Sequence, residues 1–131
     1  MTVVERADLA ANLKATGKCN CTQAVLAAFA DKFDISQEQL MTLGAGFAAG
    51  MGCMESTCGA LIGAVMTAGE LTKAKATPRY SKDIVAKFNE KSGATICKDL
   101  KGITTGQVVC PCNECVRNAV LALSEVCPIE E

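Results

Sequence analysis

The chain has 131 residues, half of them hydrophobic, with a formal net charge of −1, nine cysteines and no histidine. That length suits a single domain over 1–131, and a near-neutral chain without a basic patch lacks the electrostatic footprint of a nucleic-acid binder. The lack of histidine excludes the usual haem ligation, His-bearing zinc sites and Ser-His or Cys-His catalysis.

Thr2 to Glu5 reads as a capping box that opens a helix running to about Ala15, ended by Thr16-Gly17. Asn20 and Gln23 form a second box, and Val25, Ala28, Phe29 and Phe33 fall on one face of the helix that follows. Ser36 and Gln39 form a third, with Ile35 placed to staple onto Leu40, and this helix is expected to continue through Leu43 and Phe47 into a glycine-rich loop. Ser56 or Thr57 is the expected cap of a helix from Cys58 to about Lys73. Thr77-Pro78 starts the next, which should turn Tyr80, Ile84, Val85 and Phe88 inward and end at Ser92-Gly93. Thr95 is the expected cap of a short helix over residues 96–100, closed by Gly102. Asn113 is the expected cap of the last helix, whose buried stripe is Val116, Val120 and Leu123. No period-2 alternation is long enough for a strand, so the expected fold is all-α: a compact bundle of six to seven helices with cysteine-bearing loops at helix N-termini.

The N-terminus has no basic stretch leading into an apolar core and is not expected to be a secretory signal. A cytoplasmic location is therefore expected, where metal binding or redox chemistry outranks structural disulfides. The apolar run from Leu43 to Gly69 is broken at its middle by glycines and Glu55, and each half is too short to cross a bilayer.

Cys21, Cys58, Cys97 and Cys115 all fall near a predicted helix start, where unpaired N–H groups and the helix dipole favour negative charge. Four such placements suggest helix ends converging on one anionic centre. Cys53 precedes Cys58 in the glycine-rich loop, and Cys19, Cys110 and Cys112 stand beside other members of the set. Cys127, at the far end of the last helix, is the expected spectator. Met51, Met54 and Met66 read as packing, and Lys98 and Arg117 as solvated cations able to donate to sulfur.

Asn-Cys21-Thr-Gln-Ala-Val-Leu, Gly-Phe-Ala-Ala-Gly-Met-Gly, Cys58-Gly-Ala-Leu-Ile-Gly63, Gly93-Ala-Thr-Ile-Cys97-Lys-Asp-Leu and Cys115-Val116 together resemble the bacterial and archaeal C_GCAxxG_C_C family of redox-active proteins over about residues 17–126. A similar domain occurs in split-Soret cytochrome c, which also carries an iron–sulfur cluster. The resemblance implies an all-helical domain whose four shared cysteines match Cys21, Cys58, Cys97 and Cys115. Split-Soret haem chemistry does not carry over, because the chain has no histidine and no CxxCH site. The thiols Cys19, Cys53, Cys110 and Cys112 exceed the family's minimal pattern.

The leading expectation is a redox or electron-transfer protein with an iron–sulfur cluster, 4Fe–4S or another nuclearity and with thiols enough for more than one. Its ligands are expected among Cys21, Cys53, Cys58, Cys97, Cys112 and Cys115, with Cys19 and Cys110 beside them. Two alternatives stay open: a thiol–disulfide protein using the Cys112-x-x-Cys115 pair, and a structural four-cysteine zinc site. No substrate pocket or catalytic acid–base pair is visible. The Ala/Gly ridges suggest a homodimer, and a redox partner protein is expected without being named.

Overall fold

The computed structural model describes residues 1–129; Glu130 and Glu131 lie outside the described residues. Among these residues are seven α-helices and no strand: α1 (Val3–Ala15), α2 (Cys21–Ala28), α3 (Gln37–Gly44), α4 (Gly59–Leu71), α5 (Thr77–Ser92), α6 (Cys97–Lys101) and α7 (Cys112–Val126). A single 3-10 turn, Ala30–Lys32, follows α2.

All three predicted capping boxes form, at Thr2/Glu5, Asn20/Gln23 and Ser36/Gln39. Each satisfies two backbone donors that would otherwise be orphaned at a helix start. Helix α7 is central and packs against α1, α2, α4 and α5. Its Cys115, Val116, Ala119, Val120, Ala122 and Leu123 are all buried. Phe29 of the α2 terminus, Leu61 of α4, Ile84 and Phe88 of α5 and Leu100 of α6 complete the core.

Helices α2 and α4 approach closely because Gly59 and Gly63 face them across the interface. A Cβ at Gly63 would stand 3.0 Å from both the Thr22 carbonyl and the Val25 Cβ. The Thr22 hydroxyl uses this proximity to donate to the Gly59 carbonyl at 2.9 Å. Residue 22 is the second of α2 and residue 59 the first of α4, so the contact fixes two helix starts side by side.

A buried arginine ties α1 to the other end of α2. The Arg6 guanidinium is 1% exposed and donates to the Ala28 carbonyl at 2.7 Å. It also grips Asp31 bidentately, at 2.6 and 2.9 Å, with the Phe29 ring 5.0 Å below. This fork satisfies a terminal carbonyl of α2 and holds the following turn.

Several boundaries differ from the sequence expectation. Helix α3 ends at Gly44 rather than passing through Phe47, and farther on the chain takes left-handed φ angles at Ala49, Gly50, Met51, Gly52 and Met54. It forms an irregular turn over Gly50–Met54. Neither Thr57 nor Thr95 caps a helix, since both belong to a short antiparallel backbone pairing centred on Thr57 and Ile96. Asn113 lies inside α7, which starts at Cys112 after Pro111, two residues earlier than a cap at Asn113 would place it. Tyr80 and Val85 face outward, because the neighbours of α5 cover only the face carrying Ile84 and Phe88. No helix among the described residues is long and apolar enough to cross a membrane.

Candidate redox centre

Four cysteines from four segments line one cleft. Cys21 is the first residue of α2, Cys58 the residue before α4, Cys97 the first of α6 and Cys112 the first of α7. Ala48, Ala49, Met54, Lys14 and Lys101 complete the walls of a cavity of about 210 Å³. That volume corresponds to roughly seven waters at about 30 Å³ each, more than one cation needs. No three Cys, Asp or Glu side chains among the described residues are grouped tightly enough to hold a single metal ion.

The backbone explains the convergence. The Cys58 N–H donates to the Thr95 carbonyl at 2.8 Å, and the Cys97 N–H donates to the Ser56 carbonyl at 3.0 Å. This pair of bonds brings Cys58 and Cys97 to the same wall from positions far apart in sequence. Gly50 lies directly against Cys97: a Cβ there would stand 2.8 Å from the Cys97 Cβ, at a φ of +58° that side chains rarely adopt. Gly59 plays the same part for Cys21, leaving no room for a Cβ beside its sulfur. Met54 completes the mouth, its sulfur 3.8 Å from that of Cys97.

Charge in this cleft is positive in its fixed groups. Three helices of eight residues or more, α2, α4 and α7, begin at it, and their first turns favour anions. Lys14 and Lys101 stand on its walls. The Lys101 ammonium is 3.6 Å from the Cys115 sulfur and 3.5 Å from the Cys110 carbonyl. Burial opposes its charge, but the thiols of Cys112, Cys115 and Cys58 outweigh that, so its pKa is raised.

The thiols respond unequally. Cys115 is fully buried and lies against Cys58, and its hydrogen bond, helped by the Ala60 and Leu61 N–H groups and by Lys101, lowers the Cys58 pKa against the opposing effect of burial. Cys115 is pushed up correspondingly by that bond, by burial and by the Cys58 charge. Burial first, then the Cys58 charge, also raises Cys21 and Cys97. The cleft therefore favours the thiolate of Cys58 and disfavours those of Cys115, Cys21 and Cys97.

A family model described as "Putative redox-active protein (C_GCAxxG_C_C)" matches residues 19–126. The chain belongs to this family. No curated protein and no solved structure matches the chain.

In this member of the C_GCAxxG_C_C family, the four positions expected to be shared do not all face the cleft alike. Cys21, Cys58 and Cys97 line it; Cys115 lies behind Cys58, and Cys112, one turn earlier on α7, takes the fourth lining position. Cys110 is buried next to Cys115, whose thiol donates to the Cys110 carbonyl at 3.5 Å. Cys53 is exposed outside the cleft, with its thiol 3.4 Å from the Gly50 carbonyl. Cys19 is half-buried against the core, and Cys127 is buried at the opposite end of α7 beside Leu71 and Tyr80. Lys98 and Arg117 do not reach the thiols: Lys98 pairs with Glu55, and Arg117 with Asp8 and Glu114.

The residues that sequence reasoning missed are Lys14 and Lys101. For Lys101 a signal was present, because it stands four residues after Cys97 and so on the same helical face. Lys14 carried none, since a lysine in the last turn of a helix is commonplace.

Proposed function

We propose that this C_GCAxxG_C_C protein is an electron-transfer protein holding an iron–sulfur cluster in the cleft, ligated by Cys21, Cys58, Cys97 and Cys112, with Cys115 as a fifth thiol at hand. The observation that carries the reading is the convergence of four thiols from four separate segments on a cavity walled by two lysines and three helix starts. Soft sulfur donors, no imidazole and dispersed ligand segments fit such a cluster. So does the positive surround, because a cluster held by four thiolates carries net negative charge.

A cluster bound there supplies one-electron transfer. The chain's own groups set its conditions. The Ala49 N–H favours the Cys21 thiolate, and those of Ala60 and Leu61 favour the Cys58 thiolate, so backbone donors would serve two of the proposed ligands. Hydrogen bonds of this kind favour the more negative state and raise a reduction potential. Met54, Ala48 and Ala49 give the cavity an apolar lining beside the thiols. The single-zinc reading has less support, because no tight three-ligand group is present among the described residues.

One observation favours a second reading. The buried contact between Cys58 and Cys115 would suit a dithiol that gives up two electrons and two protons to an external disulfide. It shifts the pair from Cys112–Cys115 to Cys58–Cys115.

The test is anaerobic purification followed by iron, acid-labile sulfide and zinc analysis. Iron with sulfide, lost in Cys58→Ser, is the expected result. Metal-free protein with a reversible Cys58–Cys115 disulfide would favour the dithiol, and zinc without sulfide would overturn both.

A further inference from the structure

Lys101 is a half-buried cation whose ammonium meets the Cys115 sulfur and the Cys110 carbonyl oxygen, with no carboxylate pairing among the described residues. Burying an ammonium without a counter-charge is expensive. The surroundings nevertheless hold it firmly. The Leu100 side chain is fully buried, and the Leu100 carbonyl receives both the Val109 N–H at 2.9 Å and the Cys110 N–H at 3.2 Å. Gly102 then ends α6 in a left-handed conformation, with the Gln107 backbone packed where a side chain would be. The lysine stem is thereby anchored one turn from Cys97, and its ammonium is aimed between Cys115 and the cleft. Two other cations of the region are spent differently. Lys98 pairs with Glu55 at 2.9 Å, and Arg117 is held by Asp8 and Glu114.

We infer that Lys101 is a positioning residue that supplies the counter-charge of the thiol-bound centre and sets its reduction potential. This rests on the cluster reading and goes beyond it, by assigning the tuning to one side chain rather than to the fold at large. The missing counter-ion of Lys101 is the centre itself. Adding an electron to that centre places more negative charge beside the ammonium, so Lys101 stabilises the reduced form more than the oxidised one. Lys14, which lines the same cavity and whose charge acts on Cys21, adds a contribution of the same sign.

The experiment compares wild type, Lys101→Gln and Lys101→Arg, purified anaerobically, by iron and sulfide content and by potentiometric titration of the cluster's absorbance. Removing the charge should lower the reduced-to-oxidised ratio at fixed potential about tenfold, a downward shift of about 59 mV for a one-electron couple. Lys101→Arg, which keeps the charge, should return most of it. Lys101→Gln that loses its iron while Lys101→Arg keeps it also supports the counter-charge. A loaded Lys101→Gln at the wild-type potential overturns the inference and leaves the cluster reading standing. Loss of iron in both variants makes the lysine merely structural and overturns it too. A wild-type protein without iron and sulfide removes the cluster reading, and this assignment with it.

Discussion

Replacing Gly59 by alanine tests how the cleft is built. Elsewhere in a helix this substitution stabilises by about 0.4–1 kcal/mol, because the unfolded chain loses freedom. At Gly59 the new Cβ would stand 2.5 Å from the Thr22 hydroxyl, 2.6 Å from the Cys21 sulfur and 3.2 Å from the Ala48 Cα. The Ala48 Cα is backbone, the Thr22 hydroxyl is held by its hydrogen bond, and the Cys21 sulfur sits on a short, buried side chain. Either α2 and α4 separate, or the 2.9 Å bond from Thr22 to the Gly59 carbonyl breaks. Overpacking of this kind costs about 1–3 kcal/mol, and a lost buried hydrogen bond about 1 kcal/mol. The expected net effect is a destabilisation of about 1–3 kcal/mol. Gly69, in the same helix, has nothing within 4 Å of the equivalent Cβ, so Gly69→Ala should stabilise by about 0.4–1 kcal/mol. Urea unfolding of the reduced, metal-free proteins reads both as midpoint shifts at constant slope. Gly59→Ala should also retain less iron, because the displaced sulfur is that of Cys21. A Gly59→Ala midpoint equal to or above that of wild type would refute the reasoning.

Asp31→Asn should cost about 1 kcal/mol at neutral pH, discounted for the exposure of Asp31. The hydrogen bonds and charge of Arg6 lower the Asp31 pKa to about 2, so this stability is complete above about pH 4 and lost as pH falls through about 2. The difference between mutant and wild type, followed by urea unfolding at several pH values, should therefore vanish in acid. Cys112→Ser should sharply reduce iron retention, whereas Cys53→Ser should leave it near wild type, which iron analysis of the two variants checks. Cys127→Ala should destabilise by about 1 kcal/mol through its small buried cavity and leave cofactor content unchanged; a loss of iron in that variant would move the centre to the wrong end of α7.

The helix starts most legible in sequence were those whose caps act locally. Thr2/Glu5, Asn20/Gln23 and Ser36/Gln39 need only residues three apart, and each forms. The helices expected after Thr57 and Thr95 form within a residue of the expected starts, but the caps do not, because this backbone is committed to the pairing of Thr57 with Ile96, a long-range contact without a periodic signature. The same pairing carries Cys58 and Cys97 to one wall, so the convergence could be suspected from helix ends, but its mechanism could not. Cys112 and Cys115 were both candidates in the sequence, and which of them lines the cleft follows from a shift of two residues, since α7 starts after Pro111 rather than after Asn113. Arg6 was invisible for a different reason. A charged residue in the first turns of a helix normally reads as solvated, and only the fold supplies the Ala28 carbonyl and Asp31 that allow its burial.

Locating iron by anomalous diffraction at its absorption edge, in crystals of the anaerobically purified protein, tests the central claim most directly. The account predicts iron in the cleft between Cys21, Cys58, Cys97 and Cys112, bonded to their sulfur atoms. Iron bound instead at Cys53 or Cys127, or sulfide-containing protein with an empty cleft, would contradict it.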